Sequence, residues 1–109
     1  MTWTSDSARR QYNLDGWSGG YFDIGGNGHL LVRPRGAAGS PEIDLRELVD
    51  HLHKAGLTLP VLVRFTDILR SQVDRLHGAF ARALQAGGCE VRYTAIYPIK
   101  VNQQEHVVD

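Results

Sequence analysis

"VLVRFTDILRSQVDRLHGAFARALQAGGCEVRYTAIYPIKV", residues 61–101, carries the pattern that decides the fold class. Its opening, "VLVRF", is a short apolar run rich in β-branched residues, as a buried strand requires. Thr66 or Asp67 then stands as a helix cap, and Leu69, Val73, Leu76, Phe80 and Leu84 recur at spacings of four, three, four and four. A helix of 3.6 residues per turn brings those positions onto one face. Gly87 and Gly88 end it, and "CEVRYTAIYPIKV" (89–101) returns to β character. Strand, helix of about twenty residues and strand is the spacing of a parallel crossover, whose connection needs a dozen or more residues. The expected class is therefore α/β.

Toward the N-terminus, "GYFDI" and "HLLVRP" are short β-prone runs separated by "GGNG", a cluster suited to the positive φ angles of a hairpin loop. A β-hairpin is expected, with Pro34 ending its second arm. "RGAAGS" (35–40) suits a surface loop, and Ser40 before Pro41 reads as an N-cap with proline at the first helical position. Leu45, Leu48, Val49 and Leu52 give a short amphipathic helix that Gly56 terminates. Residues 1–11 are polar and aperiodic, so a flexible tail is expected there. The expected organisation is thus a tail over 1–11, a hairpin and short helix over 12–59, and the strand–helix–strand region over 60–109. Val107 and Val108 look like the opening of a further helix, which points to a fragment of a longer chain.

The 109 residues suit one domain, and 42% hydrophobic content is enough for a core. Twelve basic side chains balance twelve acidic ones, which argues against binding nucleic acid or an anionic membrane. No apolar span or signal-peptide core is visible, so a soluble cytoplasmic protein is expected. The single cysteine, Cys89, excludes an internal disulfide framework and lacks metal-site spacing. It reads as a small structural residue.

Ten arginines stand against two lysines, Lys54 and Lys100, and the second closes an apolar run. On a strand, Tyr93, Ala95, Tyr97 and Ile99 would line one side, with Thr94, Ile96 and Lys100 on the other. One reading ends the strand near Pro98 and projects Lys100 into water, its stem on the surface. The other makes Lys100 a Schiff-base lysine, since burial lowers an amine's pKa from about 10.4 and leaves it able to attack an aldehyde. A lysine at the C-terminal end of a parallel strand would point into the mouth of a β/α barrel. Spacing alone does not choose between these readings.

"YNLDGWSGGYFDI", "GHLLVRP", "DLRELV", "LPVLVRFTDILRSQV" and above all "YTAIYPIKVNQQEHVV" closely resemble the N-terminal region of the biosynthetic arginine decarboxylases. The resemblance runs from about Tyr12 to the last residue. It implies a pyridoxal-phosphate enzyme of the alanine-racemase-like fold, with this chain supplying a hairpin and the opening strand–helix–strand portion of a β/α barrel. Lys100, in "YPIKVNQ", would bind pyridoxal 5'-phosphate as a Schiff base. Asn102 would either hydrogen-bond near that cofactor or cap the next helix. The implied reaction converts L-arginine to agmatine and carbon dioxide on a route to polyamines such as spermidine. Magnesium and homo-oligomers with shared active sites are also associated with the family. Family chains run several times longer, so the phosphate cradle, the acidic partner of the pyridine nitrogen and the guanidinium-reading groups are expected elsewhere, and these residues are expected to be inactive alone. Two alternatives stay open: a related decarboxylase or racemase acting on another basic amino acid, and a non-catalytic remnant or interaction module.

Other residues read more plainly. "GGNG" is the only glycine-rich candidate for a phosphate and is better read as a hairpin turn. His51 and His53 diverge on a helix, and no metal ligands are assigned among the five histidines. His106 is left outside the site, and Tyr97 is assigned to core packing. Trp17, Tyr21 and Phe22 form an aromatic cluster expected to be exposed.

Overall fold

Thr4 and Ser7 open the first ordered element by exchanging hydrogen bonds. The Ser7 N–H donates to Thr4 Oγ1 at 3.0 Å, and the Thr4 N–H donates to Ser7 Oγ at 3.2 Å. This reciprocal cap satisfies amides that a helix start leaves without partners. Helix α1 extends over Ser5–Gln11, and a single turn, α2, spans Leu14–Trp17. The computed structural model describes residues 2–36 and 41–109.

The flexible tail expected over residues 1–11 is thus corrected to a docked helix. Ala8 is buried in a small core with Leu14 and Ile24, against which Phe22 packs. The Arg9 Nε donates to Asp23 Oδ1 at 2.6 Å and its NH2 group donates to the Ile24 carbonyl at 2.9 Å. Long-range polar contacts order a segment whose own apolar content is low.

The expected hairpin is present. Strand β1 (Phe22–Ile24) pairs antiparallel with β2 (Leu30–Val32), with Phe22 opposite Val32 and Ile24 opposite Leu30. The connecting "GGNG" is a turn: the Gly28 N–H donates to the Gly25 carbonyl at 3.0 Å, and Gly28 holds φ 83°. A side chain is strained at that angle, so glycine suits the position. Beyond β2, the Gly36 N–H closes a turn onto the Arg33 carbonyl at 2.8 Å, with Pro34 at its second position. Tyr21 is buried rather than part of an exposed cluster, and Gly36 lies against its ring. Trp17 and Phe22 do meet, their ring centroids 5.4 Å apart, and Trp17 stays largely exposed.

A two-residue strand, β3 (Ile43–Asp44), adds to β2 and gives the sheet order β1-β2-β3. It is too short to read from periodicity. Helix α3 then spans Leu45–Lys54, so Pro41 precedes both the strand and the helix. The Ser40 cap reading lies outside the described residues, as does part of the 35–40 loop. Asp44 caps α3: its Oδ1 accepts from the Arg46 and Glu47 N–H groups at 2.9 and 3.2 Å. Its Oδ2 meets His29 Nδ1 at 2.7 Å. Burial pushes the Asp44 carboxyl upward, but the His29 contact and the two backbone donors outweigh it and hold the pKa below the ordinary value.

Gly56 ends α3 at φ 86°, in line with its place in the sequence. The Leu57 N–H reaches the Leu52 carbonyl and the Gly56 N–H reaches the His53 carbonyl, both at 3.0 Å, the paired bonds of a Schellman stop. A Cβ on Gly56 would meet nothing within 4 Å, so its cost comes from the backbone angle alone. Gly56→Ala is expected to destabilise by about 1 kcal/mol, and Gly56→Asn by less, in thermal unfolding followed by circular dichroism.

The strongest periodic signal becomes α4, Thr66–Ala86. It starts at Thr66 with Asp67 in its first turn. Its end repeats the Schellman geometry: the Cys89 N–H donates to the Leu84 carbonyl at 3.0 Å, the Gly88 N–H to Gln85 at 3.3 Å, and Gly88 sits at φ 63°. The flanking strands are corrected. Residues 61–65 and 89–97 join no sheet among the described residues, and Leu62 and Ile96 are 78% and 88% exposed. A strand persists by pairing its backbone groups with a neighbour, and neither segment meets one. The sheet that does form is antiparallel, in a mixed α and β chain.

Contacts divide the chain into two compact units, Met1–Phe65 and Thr66–Asp109. In the first, Asp23 bridges Arg9 and Arg33 (2.6 and 2.9 Å), Arg33 continues to Glu42 (2.8 Å), and Arg9 also reaches Asp6 (2.6 Å). The Asp23 carboxyl is held below the usual range, chiefly by the Arg9 hydrogen bond, against the upward push of burial. The Ile24 N–H and the charges of both arginines add to that lowering. No described helix is long and apolar enough to cross a membrane.

Candidate functional site

In the second unit, the stop at Gly88 turns the chain back along α4. Tyr93 stacks on Phe80, centroids 4.3 Å apart and planes within 5°, while His77 meets the Tyr93 edge at 5.3 Å. Offset and edge-on arrangements of this kind suit the ring quadrupoles and fix the returning segment by its aromatic side chain.

Beyond Tyr97 the backbone folds into a turn over residues 98–101, closed by the Val101 N–H donating to the Pro98 carbonyl at 2.9 Å. Lys100 is its third residue. The turn is bracketed from outside, because Tyr97 Oη donates to the Asn102 carbonyl at 3.3 Å. Asn102 Oδ1 accepts the Gln104 N–H at 3.0 Å, just ahead of the short helix α5 (Glu105–Val108), for which Gln104 is the N-cap. Helix α5 lies beside α4.

Lys100 is exposed and makes no hydrogen bond or ion pair among the described residues. The burial expected of an uncharged amine is absent, and the strand expected to end at Lys100 is replaced by the turn. Desolvation requires surrounding atoms, and the described residues do not enclose this position. What the geometry offers is a primary amine at the tip of a closed turn, accessible to an electrophile.

Asn102, half-buried, accepts the Gln104 N–H on its side-chain oxygen in a local turn ahead of α5, whereas the N-cap of that helix is Gln104. Its amide nitrogen has no partner among the described residues. Tyr97, assigned to core packing, is exposed and linked to Asn102 instead. The acceptor there is a backbone carbonyl, so the residue type at position 102 does not signal that link in the sequence.

The histidines do not gather. His51, His53 and His106 are exposed, His77 serves the aromatic stack, and His29 lies in the first unit. Among the described residues, no group of three or more His, Cys, Asp or Glu side chains could hold a metal ion. Cys89 is exposed in the C-terminal stop of α4 rather than packed inside.

No family model matches the chain. It is 52% identical over 108 residues to the biosynthetic arginine decarboxylase of Chromobacterium violaceum, covering 99% of this chain and 17% of that protein. The biosynthetic arginine decarboxylase of Pseudomonas aeruginosa is 51% identical over 107 residues, 98% of this chain and 17% of its own length. That of a Synechococcus strain is 46% identical over 109 residues, 100% of this chain and again 17% of the relative. The chain spans about one-sixth of the length of the curated relatives it matches. Across nearly all of its residues, this chain matches the N-terminal region of the biosynthetic arginine decarboxylases.

Proposed function

We propose that this chain supplies the lysine-bearing segment of a pyridoxal-phosphate-dependent decarboxylase that converts L-arginine to agmatine and carbon dioxide, a step toward polyamines. The observation that carries the reading is identity of 40–52% to proteins of that name across nearly the whole chain.

The residues present fit the attachment of the cofactor and not the rest of its pocket. Lys100 offers an exposed amine with no ion-pair partner among the described residues, and the turn holds its Cα at a defined place. The side-chain oxygen of Asn102 orders the chain before α5. Among the described residues, no His, Cys, Asp or Glu side chains gather that could hold magnesium. The chemistry pyridoxal phosphate supplies when bound is a sink for the electron pair released as the substrate carboxylate departs. Lys100 is the residue that would hold the group, through its side-chain amine. In the whole enzyme the resemblance would place Lys100 at the mouth of a β/α barrel, whose strands residues 61–65 and 89–97 do not form by themselves.

The test is a chimera in which this chain replaces the matching segment of the Chromobacterium relative. Agmatine formation from arginine is expected, with much slower turnover of lysine, ornithine and diaminopimelate. A folded chimera that forms no agmatine would overturn the reading.

A further inference from the structure

The geometry points to Tyr97 as a positioning residue for the Lys100 amine, an inference that rests on the cofactor-anchoring role proposed above. Two concentric hydrogen bonds close this loop. The inner one, from the Val101 N–H to the Pro98 carbonyl (2.9 Å), makes the turn. The outer one, from Tyr97 Oη to the Asn102 carbonyl (3.3 Å), ties the residues on either side of it. Lys100 lies between Ile99 and Val101, both exposed, so no packed neighbour fixes the loop. The outer clamp therefore determines how far the two ends of the loop separate. Its acceptor is a backbone carbonyl, which no side-chain change at residue 102 can remove. Its donor is one phenolic hydroxyl, which Tyr97→Phe deletes while keeping the ring.

Asn102 extends the clamp toward α5. Its carbonyl takes the Tyr97 hydroxyl and its side-chain oxygen takes the Gln104 N–H, so one residue couples the lysine turn to the start of that helix. Loss of the hydroxyl frees the loop ends to separate, and the amine then samples a wider volume. A bond of this class shifts a local equilibrium by about three- to tenfold.

The measurement uses the 109-residue chain with pyridoxal phosphate and borohydride. The uncharged lysine amine forms a C=N bond to the aldehyde carbon, and the aldehyde oxygen leaves as water. Borohydride then delivers hydride to that carbon and water a proton to the nitrogen, leaving a stable secondary amine. Mass spectrometry gives the ratio of modification at Lys100 to that at Lys54, compared with the same ratio in denaturant. The folded wild-type ratio is expected to exceed the denatured one, and Tyr97→Phe to lose about three- to tenfold of that excess with unchanged far-ultraviolet circular dichroism. An excess that survives Tyr97→Phe overturns the positioning role and leaves the anchoring role standing. No excess in the wild type also overturns the positioning role, and the anchoring role is then decided by agmatine formation in the chimera. Hydrogen exchange at the Val101 amide tests the clamp separately: faster exchange in Tyr97→Phe supports it, and equal exchange overturns it whatever the labelling shows.

Discussion

Lys100→Ala in the chimera is expected to lower agmatine formation by on the order of a thousandfold or more, because a methyl group forms no C=N bond with an aldehyde. The substitution isolates the amine. The turn is closed by backbone groups of Val101 and Pro98, and the outer clamp uses the Tyr97 hydroxyl and the Asn102 carbonyl, so neither bond involves the lysine side chain. Lys54→Ala serves as the control, since that residue ends α3 in the other unit and is expected to leave turnover unchanged. Full turnover after loss of Lys100 would remove the central residue from the proposed chemistry.

Asp23→Ala is expected to have the largest effect on the stability of the first unit. Among the described residues, its carboxylate alone meets both Arg9 and Arg33, and its side chain is 18% exposed. Removal leaves two guanidinium groups without their shared partner and takes away one of the polar ties between α1 and the sheet, the Arg9–Ile24 bond and the Ala8 packing remaining. Breaking a fully buried pair costs about 3–5 kcal/mol and an exposed pair about 0–1 kcal/mol, so about 2 kcal/mol suits this intermediate position. Both tryptophans, Trp3 and Trp17, belong to this unit, so their fluorescence reports its unfolding without interference from the second. Acid should act on the same group. Folding holds the Asp23 carboxyl below its unfolded value near 3.9, so its contribution is fully present above that pH and is lost as the pH falls through the folded value. Wild-type stability should drop in that acidic window, and Asp23→Asn should flatten the drop. An unchanged acid profile in Asp23→Asn would assign the loss to other carboxylates, of which Asp44 shifts in the same direction.

The elements legible in the sequence are those whose determinants are local. Apolar spacing alone marks α4, and glycine chemistry marks both helix stops and the hairpin turn. Helix α1 escapes such a reading because its order comes from Arg9 reaching residues 14 and 15 positions away, although Thr4 and Ser7 carry a capping signal. The start of α3 is expected too early because proline at a helix start is common, whereas Asp44 both ends a strand and caps the helix. Residues 61–65 and 89–97 have strand composition without a strand, since composition cannot supply a hydrogen-bonding neighbour. At the site, residue type and motif single out Lys100, but its exposure and the Tyr97 clamp depend on the turn at residues 98–101, which periodicity does not encode.

The polar ladder of the first unit closes over short stretches of chain: Asp23 is 14 residues from Arg9 and 10 from Arg33, and Arg33 is 9 from Glu42. Contacts of low sequence separation form quickly, and N-terminal segments are made first. As the polypeptide leaves the ribosome, this ladder can close before the lysine-bearing turn has been translated, giving the nascent chain an early folded foothold.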